Sequence, residues 1–310
     1  MITVTHERVT GQRQWGWRDS AERFSTTFGL CRLRSRVPPT ALSLRHSLQR
    51  YAKYGREVPF EKKAPLPEPS GATAGSTLRT FSREVAIPSV LRIGHRGASG
   101  HAPENTLASI WKARSFHVDF IEVDVRETSD GHLVLLHDDT IDRTTNKSGT
   151  LADMTLEQVQ RLDAGNWQRI PTLEEALDIA GQAIGVILEL KVEGIGNEAC
   201  AIVKRTGFSG PLIYASFLIA ELHRVRQADP DARIMVLHHR RLPPDPIADV
   251  LALNAAYVGF HYSSITPALL QAYHDLGRQV FTYTVNERQD IQRMRELGVD
   301  GIVSDYPDRI

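Results

Sequence analysis

Residues 86 to 310 predict an α/β fold, a TIM-type (β/α)8 barrel with a β-hairpin extension after its second strand. Short Val/Ile/Leu runs alternate with helical stretches in this region, which indicates βα units and a parallel sheet. Eight of these runs remain once one is assigned to a hairpin, and about 220 residues suffice for a barrel of this type. A doubly wound open sheet is the alternative.

Nine runs have the composition of strands, with Val, Ile, Leu and aromatic residues between turn-forming residues. They are 90–95, 120–125, 133–137, 185–190, 212–216, 233–238, 257–261, 279–285 and 301–305. Helical patterns separate several of them, at 106–116, 198–206, 218–228, 266–276 and 287–297. Because parallel neighbours need a crossover of about a dozen residues, the gap between 120–125 and 133–137 is too short for a parallel pair.

The run 133–137 is therefore predicted to be the return arm of a hairpin. Asp130-Gly131 precedes it, and Asp-Gly between alternating apolar runs is a strong hairpin signal. A two-residue turn centred on this pair places Asp124 opposite His137. The histidine would then lie at the same end of the barrel as the acids of the second strand.

Residues 1–85 are predicted to be a poorly structured basic extension and linker, separate from the barrel domain at 86–310. Lys and Arg outnumber Asp and Glu in this extension, and its hydrophobic periodicity is weak. Residues 64–78 are rich in Pro, Gly, Ser and Ala, as linkers are. An organelle transit peptide and a surface-binding helix are two functional interpretations of the extension.

Bulk properties exclude several classes of protein. The formal net charge is +0, which gives no reason to expect nucleic acid. No run approaches the roughly 18 apolar residues that a membrane span needs. The two cysteines, Cys31 and Cys200, form neither a metal motif nor a disulfide framework, so a reducing compartment is expected. The cytoplasm is the expected location, with organelle targeting by the extension left open.

Acidic residues lie near the ends of two predicted strands. In "FIEVDVRETSDG" the alternation places Glu122, Asp124 and Arg126 on one face, and in "VILELK" Glu189 and Lys191 share a face. Three carboxylates from neighbouring strands offer hard oxygen ligands that suit one divalent cation, Mg²⁺ or Ca²⁺. The alternative is a salt-bridge network of the acids with Arg126 and Lys191.

Histidines and cations complete the predicted site. "LRIGHRGASGHAPENT" ends the first strand at His95 and Arg96, and the hairpin returns His137 to the same end. Two histidines with pKa values near neutrality suit a general acid and a general base. Arg96 and Lys191 offer positive charge for an anion. Together with a divalent cation, these residues favour phosphodiester cleavage.

With these residues in view, the chain resembles the glycerophosphodiester phosphodiesterase family, one of the phospholipase-C-like barrel phosphodiesterases, over about residues 91 to 307. The motifs that carry the resemblance are "HRGASGHAPENT", "IEVDVRETSDGHLVLLHDDTIDRTTNKSG", "IPTLEEAL", "LELK", "TYTVNE" and "GVDGIVSDYP". By position, the resemblance implies Glu122, Asp124 and Glu189 as metal ligands, His95 and His137 as the acid–base pair, Arg96 and Lys191 as phosphate ligands, and Glu104 as the residue that orients the His95-Arg96 region.

The sequence departs from the family pattern at Tyr283, where the family often has Trp. This tyrosine is predicted either to form an aromatic wall for the substrate or to pack at a strand end.

The activity that the resemblance implies is metal-dependent hydrolysis of a small-molecule glycerophosphodiester to sn-glycerol 3-phosphate and an alcohol. A lysophospholipase D or sphingomyelinase-D-like enzyme on the same barrel is the first alternative, and a barrel that binds phosphodiesters without catalysis is the second. The oligomeric state, the head group and the choice between water and the substrate's 2-hydroxyl as nucleophile stay open.

Overall fold

The computed structural model describes residues 90–310. The predicted basic extension and linker, residues 1–85, lies outside the described residues. Nine strands and eight α-helices follow one another through the described part, with three short 3-10 helices at Leu151–Asp153, Tyr262–Ser264 and Pro307–Arg309. None of its helices has the length and apolar character needed to cross a membrane.

The strands of this part are Leu91–Gly94 (β1), Phe120–Glu127 (β2), Leu133–Leu135 (β3), Gly185–Leu190 (β4), Leu212–Ser216 (β5), Ile234–His238 (β6), Tyr257–His261 (β7), Gln279–Tyr283 (β8) and Gly301–Ser304 (β9). They form one sheet in the order β1-β9-β8-β7-β6-β5-β4-β2-β3, and an additional parallel pairing of β1 with β2 closes it. Eight of the strands are therefore a closed parallel barrel, and β3 is an antiparallel appendage on β2. The predicted barrel with its hairpin is confirmed.

The helices are Leu107–Ser115 (α1), Leu156–Val159 (α2), Leu173–Ala180 (α3), Gly196–Thr206 (α4), Ile219–Ala228 (α5), Ala248–Ala252 (α6), Pro267–Asp275 (α7) and Arg288–Leu297 (α8). The five predicted helices are present, and the sequence analysis missed α2, α3 and α6. Helices α2 and α6 are too short to show a period. The start of helix α3 was recognisable in the sequence, because Thr172 and Glu175 have the spacing of a capping box and form one across the first turn.

The predicted register of the hairpin is wrong by one residue. Val125 pairs with Leu135, and the Leu136 amide donates to the Asp124 carbonyl at 3.1 Å, so Asp124 does not face His137. The strand pair ends before His137, which follows it in a loop. His137 nevertheless lines the same cavity as Glu122.

The turn explains the shift of register. The Gly131 amide donates to the Thr128 carbonyl at 3.0 Å, and the Thr128 amide donates to the His132 carbonyl at 3.0 Å. The loop therefore contains three residues rather than two. Gly131 has φ +83°, the left-handed conformation that closes a three-residue hairpin loop.

Three apolar clusters pack inside and around the barrel. The largest lies between the barrel strands and the helices. A second fills the barrel interior with Ile93, Phe120, Ile187, Ile213, Ala215, Met235, Leu237, Phe281 and Val303. The third packs beneath the segment that joins β3 to α3, with Ile141, Leu151 and Val159 almost fully buried. That third cluster holds in place the loop that follows His137.

Candidate active site

A cavity of about 190 Å³ lies at the carboxyl ends of the barrel strands. Its floor is apolar and belongs to the barrel interior. Its mouth is lined by polar residues that the sequence analysis had selected: His95, Arg96, Glu122, His137, Glu189, Lys191 and Tyr283. Asp124 is 1% exposed, and Glu104 lines a second cavity that shares His95 and Arg96 with the first. The structure therefore brings the predicted site residues together.

The turn after β1 fixes the direction of Arg96. This residue adopts a left-handed conformation with φ 52°, and its amide donates to Glu122 Oε2 at 2.9 Å. The next residue, Gly97, has φ +81°, and a Cβ there would lie 2.5 Å from the backbone carbon of Ser109 in α1. Only glycine permits this close approach of the turn to the helix.

The start of α1 contributes a second contact to the acids. Thr106 caps the helix in a reciprocal box with Ser109. This arrangement places Asn105 against β2, where its side-chain amide donates to Asp124 Oδ2 at 2.8 Å and accepts from the Asp124 amide at 3.1 Å. The Pro-Glu-Asn-Thr motif thus links a helix start to the acidic cluster.

His95 forms an ion pair with a residue that the sequence analysis missed. Its Nδ1 lies 2.6 Å from Oδ1 of Asp305, which follows β9. Ser99 and Asn286 also donate to this carboxylate, at 2.7 and 2.6 Å. Burial alone would lower the pKa of His95, but the hydrogen bond to Asp305 and the negative charge of nearby carboxylates outweigh it and raise that pKa above its ordinary value. Because Nδ1 is bound to Asp305, Nε2 of His95 is the ring nitrogen that remains available for proton exchange.

His137 has an equivalent partner in the next residue. Its Nδ1 lies 2.6 Å from Asp138 Oδ1. Burial lowers the pKa of His137 below its ordinary value, and the charges of Arg96 and Lys191 act in the same direction, against the opposing effect of Asp124 and the Asp138 hydrogen bond. The two histidines of the cavity therefore differ in the direction of their pKa shifts.

The three acids predicted to bind metal form one cluster. Asp124 and Glu189 are register partners on the neighbouring strands β2 and β4, and Glu122 precedes Asp124 by two residues on the same face. One oxygen from each carboxylate lies within 4.8 Å of the others. Such a cluster of hard oxygen donors could bind a metal ion.

The charges around these acids are unevenly compensated. Lys191 Nζ lies 2.6 Å from Glu189 Oε1 and 3.4 Å from Asp124 Oδ1, and Arg96 Nε lies 3.2 Å from Asp124 Oδ2. Despite burial, which acts in the opposite direction, Lys191 and Arg96 hold the pKa of Asp124 below its ordinary value. The two Lys191 contacts belong to the alternative salt-bridge network, and the Arg96 contact adds an ion pair that this alternative did not include.

Glu122 does not fit that network. Its Oε1 is buried and has no hydrogen-bond partner among residues 90–310. Burial and the repulsion of Asp124 raise its pKa to about 8. Arg126, the predicted ion-pair partner, instead donates from Nε to the His137 carbonyl at 2.9 Å. A buried, unpartnered carboxylate oxygen beside two further carboxylates fits a divalent cation, which would supply the missing partner.

Tyr283 lines the cavity at the end of β8. Its ring meets Phe217 edge to face, with centroids 6.1 Å apart. Its hydroxyl donates to the His238 carbonyl. The ring therefore lines the cavity and the hydroxyl is bound to the backbone, while contact of the ring with a substrate stays a prediction.

Comparison with known proteins agrees with this geometry. Residues 95–309 match the model of the glycerophosphoryl diester phosphodiesterase family. The chain belongs to this family. The predicted family and the predicted enzyme class are thus confirmed, while the roles of individual residues stay predictions.

Relatives within the family align over the barrel. A glycerophosphodiester phosphodiesterase of Caldanaerobacter subterraneus is 36% identical over 233 residues, covering 71% of this chain and 96% of that protein. One from Bacillus subtilis is 30% identical, covering 71% of this chain and 84% of that protein. An Oleispira antarctica phosphodiesterase, solved with its product sn-glycerol-3-phosphate, is 31% identical with a TM-score of 0.67, covering 70% of this chain and 94% of that one.

Proposed function

We propose that this enzyme hydrolyses glycerophosphodiesters to sn-glycerol 3-phosphate and an alcohol, with one divalent cation and two histidines. The observation that carries the proposal is a cluster of three carboxylates beside a cavity that is lined by His95 and His137. The solved relative from Oleispira antarctica, which holds sn-glycerol-3-phosphate, supports the same substrate class. The cation is Mg²⁺ or Ca²⁺, since the donors are all carboxylates.

Glu122, Asp124 and Glu189 would hold the cation. When bound, it would supply positive charge to the phosphate oxygens in the transition state. Arg96 and Lys191 would add positive charge from the protein, because both side chains line the cavity. Glu104 would orient Arg96, whose Nη1 donates to its Oε1 at 2.7 Å.

The two histidines would divide the proton transfers. His95, whose hydrogen bond to Asp305 favours the protonated ring, would donate a proton to the departing alcohol oxygen. His137, whose burial beside Arg96 and Lys191 favours the neutral ring, would remove a proton from the nucleophile. Water and the substrate's 2-hydroxyl both suit this role.

The competing activity is that of a lysophospholipase D or sphingomyelinase-D-like enzyme. The apolar floor of the cavity favours a substrate with an apolar part. However, the second cavity, of about 380 Å³, which shares His95 and Arg96 with the first, is lined mainly by polar and charged residues such as Ser99, Glu104 and Asp305. Polar walls suit a compact glycerophosphodiester better than an acyl chain.

A substrate panel tests the proposed activity. We expect purified protein to release sn-glycerol 3-phosphate from glycerophosphocholine, to lose this activity in EDTA, and to regain it with Mg²⁺ or Ca²⁺. Enzymatic detection of glycerol 3-phosphate provides the measurement, and lysophosphatidylcholine serves as the comparison substrate. Faster turnover of lysophosphatidylcholine would favour the competing activity, and no turnover of either substrate with either cation would contradict both.

Cation binding is expected to release a proton from Glu122. Because its pKa is raised to about 8, this carboxyl is mostly protonated at pH 7, and we expect cation binding there to release close to one proton from it. The apparent affinity should rise about tenfold per pH unit up to about pH 8 and then level off. Titration calorimetry in buffers of different ionisation enthalpy measures the proton count. Identical heats in all buffers would show that Glu122 does not exchange a proton for the cation.

A further inference from the structure

Arg143 occupies an unusual position in the loop that follows His137. All three nitrogens of its guanidinium group are used: Nε donates to Asp138 Oδ2 at 2.6 Å, and Nη1 and Nη2 donate to the two oxygens of Glu104 at 2.7 and 2.8 Å. Its side chain is 48% exposed. Among residues 90–310, Arg143 is not one of those that line the two cavities described above.

Each carboxylate that Arg143 holds is also bound to a residue of the cavity. Glu104 Oε1 accepts from Arg96 Nη1 at 2.7 Å, and Asp138 Oδ1 lies 2.6 Å from His137 Nδ1. A continuous series of hydrogen bonds therefore runs from Arg96, through Glu104, Arg143 and Asp138, to His137. It joins the turn after β1 to the loop after β3.

We propose that Arg143 is a positioning residue that fixes His137 and Arg96 relative to one another through Asp138 and Glu104. The inference rests on the proposed function for its catalytic consequence. Its structural part, the orientation of His137, can be measured without any activity.

Arginine suits this position for a geometric reason. Its planar fork donates in fixed directions to two carboxylates at once, whereas a lysine ammonium is a single point charge on a flexible stem. The backbone of the loop is also held: the Thr145 amide donates to the Ile141 carbonyl at 3.1 Å, and Ile141 is fully buried. The Arg143 side chain therefore extends from a backbone that is itself held in place.

Arg143 is about half exposed, so solvent screens the charge of its ion pairs. Its contacts also remove rotational freedom from Asp138 and Glu104. Without them, Asp138 could turn away from the imidazole and leave His137 free to rotate.

His95 provides an internal control, because its Asp305 partner is held by Ser99 and Asn286 rather than by Arg143. In proton NMR of the wild type, we expect a downfield Nδ1 proton signal for each of the pairs His95–Asp305 and His137–Asp138. In Arg143→Ala, the His137 signal should broaden or disappear while the His95 signal stays unchanged. Spectra of His95→Ala and His137→Ala assign the two signals.

Kinetics give the second readout. We expect Arg143→Ala to lower kcat/KM about 10- to 100-fold, the usual effect of removing a residue that orients a ligand or catalytic group. The kcat/KM of Arg143→Lys should stay closer to that of Arg143→Ala than to that of wild type, because the planar fork is lost although the charge remains.

Chemical rescue gives a third readout. Added guanidinium should restore part of the activity of Arg143→Ala, and ammonium at equal ionic strength should not. Arg169→Ala, which removes an equally exposed arginine paired with Glu175, is the matched control.

A double mutant tests the route through Asp138. Because Arg143 reaches His137 through this carboxylate and Arg96 through Glu104, Asp138→Asn combined with Arg143→Ala should lose less activity than the product of the two single losses. Fully multiplicative losses would contradict this route. An unchanged His137 signal with activity within twofold of wild type would overturn the inference. Full rescue by Arg143→Lys would also overturn it, in favour of a simple charge effect. If wild-type protein has no phosphodiesterase activity but the His137 signal depends on Arg143, the proposed function fails and the positioning role stands.

Discussion

Replacement of His95 or His137 with alanine is expected to lower kcat at least about a hundredfold, because each variant loses one of the two proton transfers. Both imidazoles line the cavity, and each has its Nδ1 held by a carboxylate at 2.6 Å. These contacts hold each ring in one orientation and one tautomer, as a catalytic histidine requires. Steady-state kinetics with glycerophosphocholine measure the loss.

The identity of the leaving group separates the two histidines. p-Nitrophenolate departs without a proton, so a glycerophospho-p-nitrophenyl ester should restore much of the activity of His95→Ala, the variant that lacks the general acid. The same substrate should not restore His137→Ala, which still lacks the base. If both variants recover equally, or only His137→Ala recovers, the assignment of acid and base is wrong.

A histidine–aspartate pair elsewhere in the barrel provides the control. His274 Nε2 lies 2.8 Å from Asp300 Oδ2, and its side chain is 33% exposed, close to the 35% of His137. Asp300 immediately precedes β9, at the end of the barrel opposite the cavity. His274→Ala should therefore keep wild-type kinetics. A comparable loss of activity in this variant would point to a general effect of removing such pairs rather than to catalysis.

The sequence predicted the elements that depend on local pattern. Strand alternation correctly placed Glu122, Asp124 and Glu189 on one face, because residues two apart in a strand always share a side of the sheet. The turn after β1 was predicted to lie at the barrel mouth, because chemistry-bearing loops of this fold follow the carboxyl ends of the strands. These inferences needed only periodicity and the direction of the chain.

Residues whose roles depend on distant contacts could not be found in this way. Asp305 lies 210 positions from His95, and no spacing rule connects them. Arg143 lies in an irregular loop, and its function depends on Glu104 and Asp138 from two separate segments. The hairpin register failed for another reason, since Asp-Gly closes both two- and three-residue loops and only the backbone angles distinguish them.

The same limit applies to the missing partner of Glu122. Sequence alone allowed a salt-bridge network around the acids, and the structure contains such a network for Asp124 and Glu189 but not for the buried Oε1 of Glu122. Whether a buried charge is compensated depends on the placement of side chains from several strands.

Glu122→Gln is expected to lower kcat/KM about a thousandfold and to weaken cation binding, because a neutral amide replaces one of the three carboxylate ligands. The same substitution should stabilise the cation-free protein at alkaline pH. Folding raises the pKa of Glu122 from 4.5 to about 8, so its protonated form favours the folded state at low pH. That contribution is lost progressively as the pH rises from about 4.5 to about 8, and glutamine has no charge to bury.

Thermal unfolding in EDTA at pH 5 and pH 9 measures this second effect. The Tm of the wild type should fall relative to that of Glu122→Gln as the pH rises, and a saturating divalent cation at pH 9 should raise the wild-type Tm far more than that of the variant. Glu174→Gln, at an exposed position paired with Arg205, is the control for the substitution itself. A variant that loses activity while the cation-free protein becomes more stable cannot have failed through misfolding. Equal cation-dependent shifts in wild type and Glu122→Gln would mean that the ion binds elsewhere.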